Sequence, residues 1–113
     1  MFYFKLKEKI SNMLNGRYID DDGDVFWYKD SLLHREDGPA VEWESGTKKW
    51  YKNGELHRED GPAIEYSYGN KEWWLNDIPY SEYEFNKWIS KKKLNEKLQS
   101  SLSSSPSIKS VKI

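Results

Sequence analysis

Short runs of alternating hydrophobic and polar residues fill the middle of the chain and return at a fixed interval. The segment Trp27–Ala40, WYKDSLLHREDGPA, recurs as Trp50–Ala63, WYKNGELHREDGPA. Of the 23 positions in residues 27–49, 14 are identical in residues 50–72. A fixed period of this length is typical of an array of stacked supersecondary units, in which each unit packs against its neighbours.

Each unit has the pattern of a β-hairpin. Residues 40–44 and 47–52 alternate between apolar and polar side chains, and Ser45-Gly46 separates them. This spacing predicts a two-residue turn, because glycine accepts the positive φ that such turns require. A two-residue turn sets the cross-strand partners: Val41 with Trp50 and Trp43 with Lys48 on one face, and Glu42 with Lys49 on the other.

Stacking of the units places equivalent residues in columns across the sheet. Two columns are expected to form its core, namely Tyr18, Val41 and Ile64, and Trp27, Trp50 and Trp73. The second turn of the unit, at Asn53-Gly54, returns the chain to the next hairpin.

The third unit departs from the repeat and predicts a helix. Ser81 followed by Glu84 forms a capping box, which marks a helix start. The apolar residues that follow share one helical face, namely Phe85, Trp88 and Ile89. A helix at this place would cover the open edge of the last strand. At the other end of the chain another set shares a helical face, namely Phe2, Leu6, Ile10 and Met13.

These patterns predict a mainly β (α+β) fold: an antiparallel meander of stacked β-hairpin repeats with a C-terminal capping helix and an N-terminal helix. The predicted single domain covers 1–99. Its parts are an N-terminal helix over 1–15, three hairpin repeats over 16–79 and a capping helix over 81–98, followed by a flexible serine-rich tail over 100–113.

Composition and charge limit the function further. The chain has no cysteine, and no apolar run is long enough for a signal peptide or a membrane span, so a cytoplasmic location is expected. The net charge of -1 hides a division, since residues 18–86 hold 17 acidic side chains against 7 basic ones. Residues 87–113 carry 7 lysines and one glutamate. An acidic body with basic ends steers association, or the basic end folds back on the acidic repeats.

The repeated unit, Trp-Tyr-x-Asn-Gly-x-Leu-His-Arg-Glu-Asp-Gly-Pro-Ala, resembles the divergent MORN-type repeat of tailed phages, giant viruses and some bacteria. The resemblance covers residues 16–80, and it is most specific at Trp50-Tyr51, Asn53-Gly54 and 57–63. Asp30-Ser31 stands in place of Asn-Gly, which leaves the geometry of that turn open. The resemblance implies binding without catalysis and assigns no binding residue.

Candidate chemistry is limited to the histidine motif and one acidic run. His34 and His57 lie one repeat apart, so we expect them about 10 Å from each other and unable to share one metal ion. The run Asp20–Asp24 is similar to a calcium loop but lacks the downstream glutamate, which favours an acidic hairpin tip. No nucleophile signature or phosphate loop occurs. We therefore predict no enzyme activity, no cofactor and no metal.

The first functional hypothesis is a viral or bacterial accessory protein that binds and inhibits another protein, such as a host defence protein or toxin, with a basic surface. The predicted binding residues are aromatic anchors and neighbouring acids, namely Trp43, Tyr66, Trp74, Glu42, Glu44 and Glu65. A second hypothesis is nucleic-acid binding through lysines of the C-terminal helix, namely Lys87, Lys91, Lys92, Lys93 and Lys97. A third is a small-ligand or nucleotide pocket between sheet and helix, lined by Trp73, Trp74 and Trp88. A homodimer remains open.

Overall fold

The computed structural model describes residues 13–104, which form an antiparallel β-structure and one C-terminal helix. The strands are β1 (Gly16–Ile19), β2 (Val25–Lys29), β3 (Leu32–Leu33), β4 (Val41–Glu42), β5 (Lys48–Lys49), β6 (Tyr51–Lys52), β7 (Glu55–Leu56), β8 (Ile64–Glu65), β9 (Lys71–Leu75) and β10 (Ile78–Tyr80). The helix is α1 (Glu82–Ser104).

The strands follow one another across the sheet as a meander. One 8-stranded sheet has the order β1-β2-β4-β5-β8-β9-β10 with β3 paired to β2, and β6 and β7 form a 2-stranded sheet. Only Trp50 separates β5 from β6, so together they occupy the place that β2 and β9 hold one unit before and after. The predicted fold class, an antiparallel meander of hairpin repeats, is confirmed.

The first connection of each unit is one residue longer than predicted. The Trp43 N–H donates to the Thr47 carbonyl at 2.9 Å, and the Gly46 N–H donates to the Trp43 carbonyl at 2.9 Å. Gly46 follows the tight turn, and its φ of 106 lies in the left-handed region. It forms a bulge that adds one residue to the loop.

This extra residue moves the strand register by one position. Val41 lies opposite Lys49, and Glu42 lies opposite Lys48. The predicted pairs of Val41 with Trp50, of Trp43 with Lys48 and of Glu42 with Lys49 are therefore wrong. A one-residue change of register moves side chains to the other face of a sheet. Val41 and Trp50 consequently lie on opposite faces.

The second connection is a two-residue turn with positive φ at both central residues in all three units. Asn53 and Gly54 have φ 49 and 83, whereas Asp30 and Ser31 have φ 50 and 66. The replacement of Asn-Gly therefore leaves the turn geometry unchanged. The turn residue Ser31 donates its N–H to the Leu14 carbonyl at 2.8 Å, a bond to the preceding segment that helps to hold the less favoured conformation.

The register divides the sheet into two faces. We call one the aromatic face: it carries Tyr18, Phe26, Tyr28, Val41, Trp43, Lys49, Ile64, Tyr66, Glu72 and Trp74. We call the other the loop face: it carries Trp27, Glu42, Lys48, Trp50, Glu65, Lys71 and Trp73 together with the loops 34–40 and 57–63 that leave β3 and β7. Each loop leaves the sheet after one strand and returns to begin the next.

The core lies where the loops rejoin the sheet and in the centre of the aromatic face. Ala40 and Ala63 are fully buried, and Val41 and Ile64 are buried on the opposite face. Of the expected Tyr18–Val41–Ile64 column, Tyr18 is exposed, while the tryptophan column of residues 27, 50 and 73 is half-buried.

The helix α1 begins at the predicted capping box. The Glu84 N–H donates to Ser81 Oγ at 3.1 Å, and the Ser81 N–H donates to Glu84 Oε1 at 3.1 Å. These bonds from Ser81 lower the pKa of Glu84. The helix continues to Ser104, beyond the predicted end at 98, so residues 100–104 of the predicted tail are helical.

The chain divides into two compact units, one ending at Tyr80 and one beginning at Ser81. The predicted single domain and the predicted capping role of α1 stay predictions. Most of the predicted N-terminal helix and residues 105–113 lie outside the described residues, and residues 13–15 are not helical. No helix in the described part of the chain has the length and apolarity needed to cross a membrane.

Candidate functional site

The arginine of the repeated His-Arg-Glu-Asp-Gly-Pro-Ala motif is a structural residue. The Arg58 guanidinium lies 3.8 Å from the centre of the Trp50 ring, and it donates to Asp60 Oδ1 at 2.8 Å and to Glu65 Oε2 at 2.9 Å. Arg35 stacks on Trp27 at 4.3 Å in the same way. A cation over a tryptophan face, with carboxylates around it, fixes each loop to its own unit.

The glycine of the motif leaves room for that arginine. A Cβ atom on Gly61 would lie 2.9 Å from Arg58 Cζ, and one on Gly38 would lie 2.9 Å from Arg35 Cζ. Both contacts are too short for carbon atoms. A side chain at this position would therefore force the guanidinium to shift. The carbonyl of the following proline accepts a further bond from the arginine, at 3.1 Å for Pro62.

The histidine of the motif links each unit to the next one. His34 Nδ1 accepts a hydrogen bond from the Asn53 N–H at 2.9 Å, and His57 Nδ1 accepts one from the Asn76 N–H at 3.1 Å. Because a backbone N–H can only donate, each ring carries its proton on Nε2. From there His34 donates to Glu36 Oε1 at 2.9 Å. The histidines thus join consecutive units, and their neutral form fits this role.

Glu36 receives a second bond from the next unit. Lys52 Nζ donates to Glu36 Oε2 at 2.5 Å. The bonds from Lys52 and His34 lower the pKa of Glu36 to about 2, so this carboxylate is charged at neutral pH. The polar residues of the motif therefore bind one another, and they form a structural network.

The two loops enclose a groove of about 750 Å³. Its walls come from residues 36–39 of one loop and 57–60 of the next, and Trp50 and Lys52 line it between them. Five carboxylates line this groove, namely Glu36, Asp37, Glu55, Glu59 and Asp60. Sequence reasoning missed the groove, because it forms only when two copies of the loop lie side by side.

The aromatic face offers a different surface. Trp43 is 39% exposed, with Lys49 Nζ 4.3 Å from its ring centre, and Tyr68 is 71% exposed. Tyr66 stacks on Tyr68, with ring centres 5.2 Å apart. Exposed aromatic side chains on a hydrogen-bonded sheet are typical anchors of protein interfaces.

One carboxylate organises part of this face. Glu72 Oε2 accepts the Tyr66 hydroxyl at 2.9 Å, and Glu72 Oε1 accepts Trp74 Nε1–H at 2.9 Å. The bond to Glu72 raises the pKa of Tyr66. Sequence reasoning missed Glu72, although its position one residue before the Trp73-Trp74 pair could have suggested a partner for an indole N–H.

The structure separates the six predicted binding residues. Trp43, Tyr66 and Trp74 lie on the aromatic face. Glu42 and Glu65 lie on the loop face, where Glu65 binds Arg58 and Glu42 lies 3.9 Å from Arg35. Glu44 lies in the hairpin loop, and its N–H donates to Asp24 Oδ1 at 2.8 Å. The three acids therefore do not surround the three aromatic side chains.

The lysines of the nucleic-acid hypothesis spread around α1. At 100° per residue, Lys87 and Lys91 share one side, whereas Lys93 and Lys97 share another. Lys92 Nζ lies 5.3 Å from the centre of the Trp88 ring. Trp88 belongs to the unit that begins at Ser81, so the pocket predicted between it and Trp73 and Trp74 stays a prediction.

The acidic hairpin tip has carboxylates close enough to ligate one ion. Those of Asp20, Asp22 and Asp24 lie within 4.8 Å of one another. Asp20 Oδ1 already accepts the N–H groups of Asp22 and Asp24 at 3.0 Å, which stabilises the turn. The predicted absence of a metal site stays a prediction.

Comparison with protein-family models, with curated proteins and with solved structures found no match. The resemblance to MORN-type repeats therefore rests on the motif alone.

Proposed function

We propose that this chain is a non-enzymatic protein-binding module whose aromatic face contacts the partner. The observation that carries the proposal is the distribution of differences between the two copies of the repeat. Most residues of the loop face in and beside the strands are identical in both copies, namely Trp27 and Trp50, Glu42 and Glu65, and Lys48 and Lys71, whereas Leu32 and Glu55 differ. Strand residues of the aromatic face are identical at Tyr28 and Tyr51 and at Leu33 and Leu56, and they differ at Val41 and Ile64, Trp43 and Tyr66, and Lys49 and Glu72.

Identical residues are expected where each unit must make the same contacts with the next one. Exposed residues have no such requirement. We infer that contact with a partner determines which residues stand there. On the aromatic face these residues include the half-exposed Trp43, and the loop residue Tyr68, which replaces Ser45 of the preceding copy, is exposed beside them. Large aromatic side chains bury much apolar area with little loss of conformational entropy, which favours protein recognition.

The finer form of the proposal comes from the motif resemblance. It is a phage, viral or bacterial accessory protein that acts in the cytoplasm and inhibits a host defence protein or a toxin. Binding without chemistry is consistent with the motif, because its histidines, arginines and acids are engaged with one another.

The test compares affinity capture from a host lysate with three versions of the full chain. Trp43→Ser/Tyr68→Ser removes two aromatic side chains from the aromatic face. Lys48→Ser/Lys71→Ser is the matched control, because it changes two exposed residues on the loop face. We expect a partner that the wild type and the control retain and that the aromatic variant loses, with thermal unfolding confirming that all three are folded. Capture that depends on the lysine pair instead of the aromatic pair would contradict the proposal.

A further inference from the structure

The groove between the loops 34–40 and 57–63 is lined by more acidic than basic groups. Its five carboxylates face only two cationic side chains, Lys52 and Arg58. Both cations already contact carboxylates, since Lys52 binds Glu36 and Arg58 binds Asp60 and Glu65. His57 also lines the groove and is neutral, because its Nδ1 accepts the Asn76 N–H. An excess of negative charge therefore remains.

The carboxylates stand at the rim, where an incoming group can reach them. Asp37 is 85% exposed and Asp60 is 86% exposed. They occupy equivalent positions in consecutive units, two strands apart, which separates them by about 10 Å. The loops that carry them are fixed by the arginine and histidine contacts, so the charges are preorganised and bind at a smaller entropic cost.

We propose that this groove binds a basic, extended segment of a partner protein, with its lysine or arginine side chains lying between the two loops. An extended polyproline II segment advances about 9 Å in three residues and returns to the same side, which matches the repeat spacing of the rim. The volume of about 750 Å³ is also in the range of ligand-binding clefts. The site uses no residue of the aromatic face, so it goes beyond the function proposed above.

The probe is a fluorescein-labelled peptide with four Lys-Pro-Pro repeats, and the measurement is fluorescence anisotropy with the full chain at low salt. A peptide with four Glu-Pro-Pro repeats is the control for charge. We expect saturable binding of the lysine peptide that weakens as salt is added, because the contacts are between charges. Equal binding of the glutamate peptide would overturn the proposal. So would the absence of lysine-peptide binding at about 1 mM protein, a concentration that matches the Kd of weak complexes.

Two pairs of substitutions separate the groove from the general acidity of the body. Asp37→Asn/Glu55→Gln neutralises two groove carboxylates, whereas Asp21→Asn/Asp22→Asn neutralises two at a hairpin tip. We expect Kd to rise about tenfold for the groove pair and less than about twofold for the tip pair. If both pairs weaken binding equally, only the overall field attracts the peptide and the groove is not a site.

Asp37 also binds Arg35 Nε at 3.1 Å, so the first pair could disturb the loop. Glu55→Gln alone keeps that contact, and we expect it to raise Kd about threefold. An unchanged Kd for Glu55→Gln would contradict the proposal. Trp43→Ser/Tyr68→Ser should bind the peptide like the wild type, so failure at the groove and failure at the aromatic face give different results.

Discussion

The two faces of the sheet use the same repeat in different ways. On the loop face each copy presents the same tryptophan, arginine and glutamate, and these groups contact one another. On the aromatic face equivalent positions carry different residues, such as Lys49 over Trp43 in one copy and Glu72 beneath Tyr66 in the next. The comparison teaches that the repeated motif maintains the architecture, whereas the positions that vary between copies include the exposed aromatic side chains that we propose for recognition.

The loop face should be sensitive to loss of its central arginine. Arg58→Ala removes a cation–π contact and bonds to two carboxylates and a carbonyl, and it leaves Glu65 without that partner. We expect the free energy of unfolding to fall by about 2–3 kcal/mol, measured by urea denaturation. A loss below about 0.5 kcal/mol would show that the stacked arginine is not part of the structural network.

The glycine beside this arginine gives a sharper test. Gly61→Ala places a methyl group 2.9 Å from Arg58 Cζ, so the guanidinium must move, and we expect a cost of about 1–2 kcal/mol. In an Arg58→Ala background the methyl group meets no guanidinium, and the same substitution should cost much less. Additive effects in this double-mutant cycle would contradict the packing explanation.

The contribution of Glu36 to the stability of the fold should depend on pH. The bonds from Lys52 and His34 lower the folded-state pKa of Glu36 from 4.5 to about 2. The stabilisation is therefore complete above pH 4.5 and disappears as the pH falls through about 2. We expect Glu36→Gln to be less stable than the wild type at pH 7, and the difference to vanish near pH 2. A difference that persists at pH 2 would exclude this ionisation as its cause.

The smallest effect on stability is expected on the aromatic face. Tyr68 is 71% exposed and contacts Tyr66 through one ring face. Tyr68→Ser should change the free energy of unfolding by no more than about 0.5 kcal/mol, as measured by urea denaturation. A large loss of stability would mean that this side chain supports the fold. It would contradict the view that exposed residues of the aromatic face have no structural role.

The sequence alone predicted the repeat, the meander and the start of the helix, because period, turn residues and the capping box are local signals. It did not predict the register. A glycine after Ser45 fits either a two-residue turn or a three-residue loop with a bulge, and only the backbone bonds of Trp43 decide between them.

The separation of the predicted site does not depend on that register. Glu42 and Glu65 lie on the opposite face from Trp43 and Tyr66 because neighbouring residues of a strand point to opposite faces. Trp43 and Tyr66 share a face because they are equivalent positions of the repeat, 23 residues apart. The groove required contacts between two loops that are 23 residues apart, which no local pattern specifies.

The most direct test of the difference between the faces is to copy the aromatic face of one unit onto another. Trp43→Tyr/Lys49→Glu gives the earlier copy the Tyr–Glu pair that Tyr66 and Glu72 form in the later one. If these positions are free of structural roles, urea denaturation should give a free energy of unfolding within about 1 kcal/mol of the wild type. A loss above about 3 kcal/mol would show that the varying residues also hold the fold together, and it would contradict the division between the two faces.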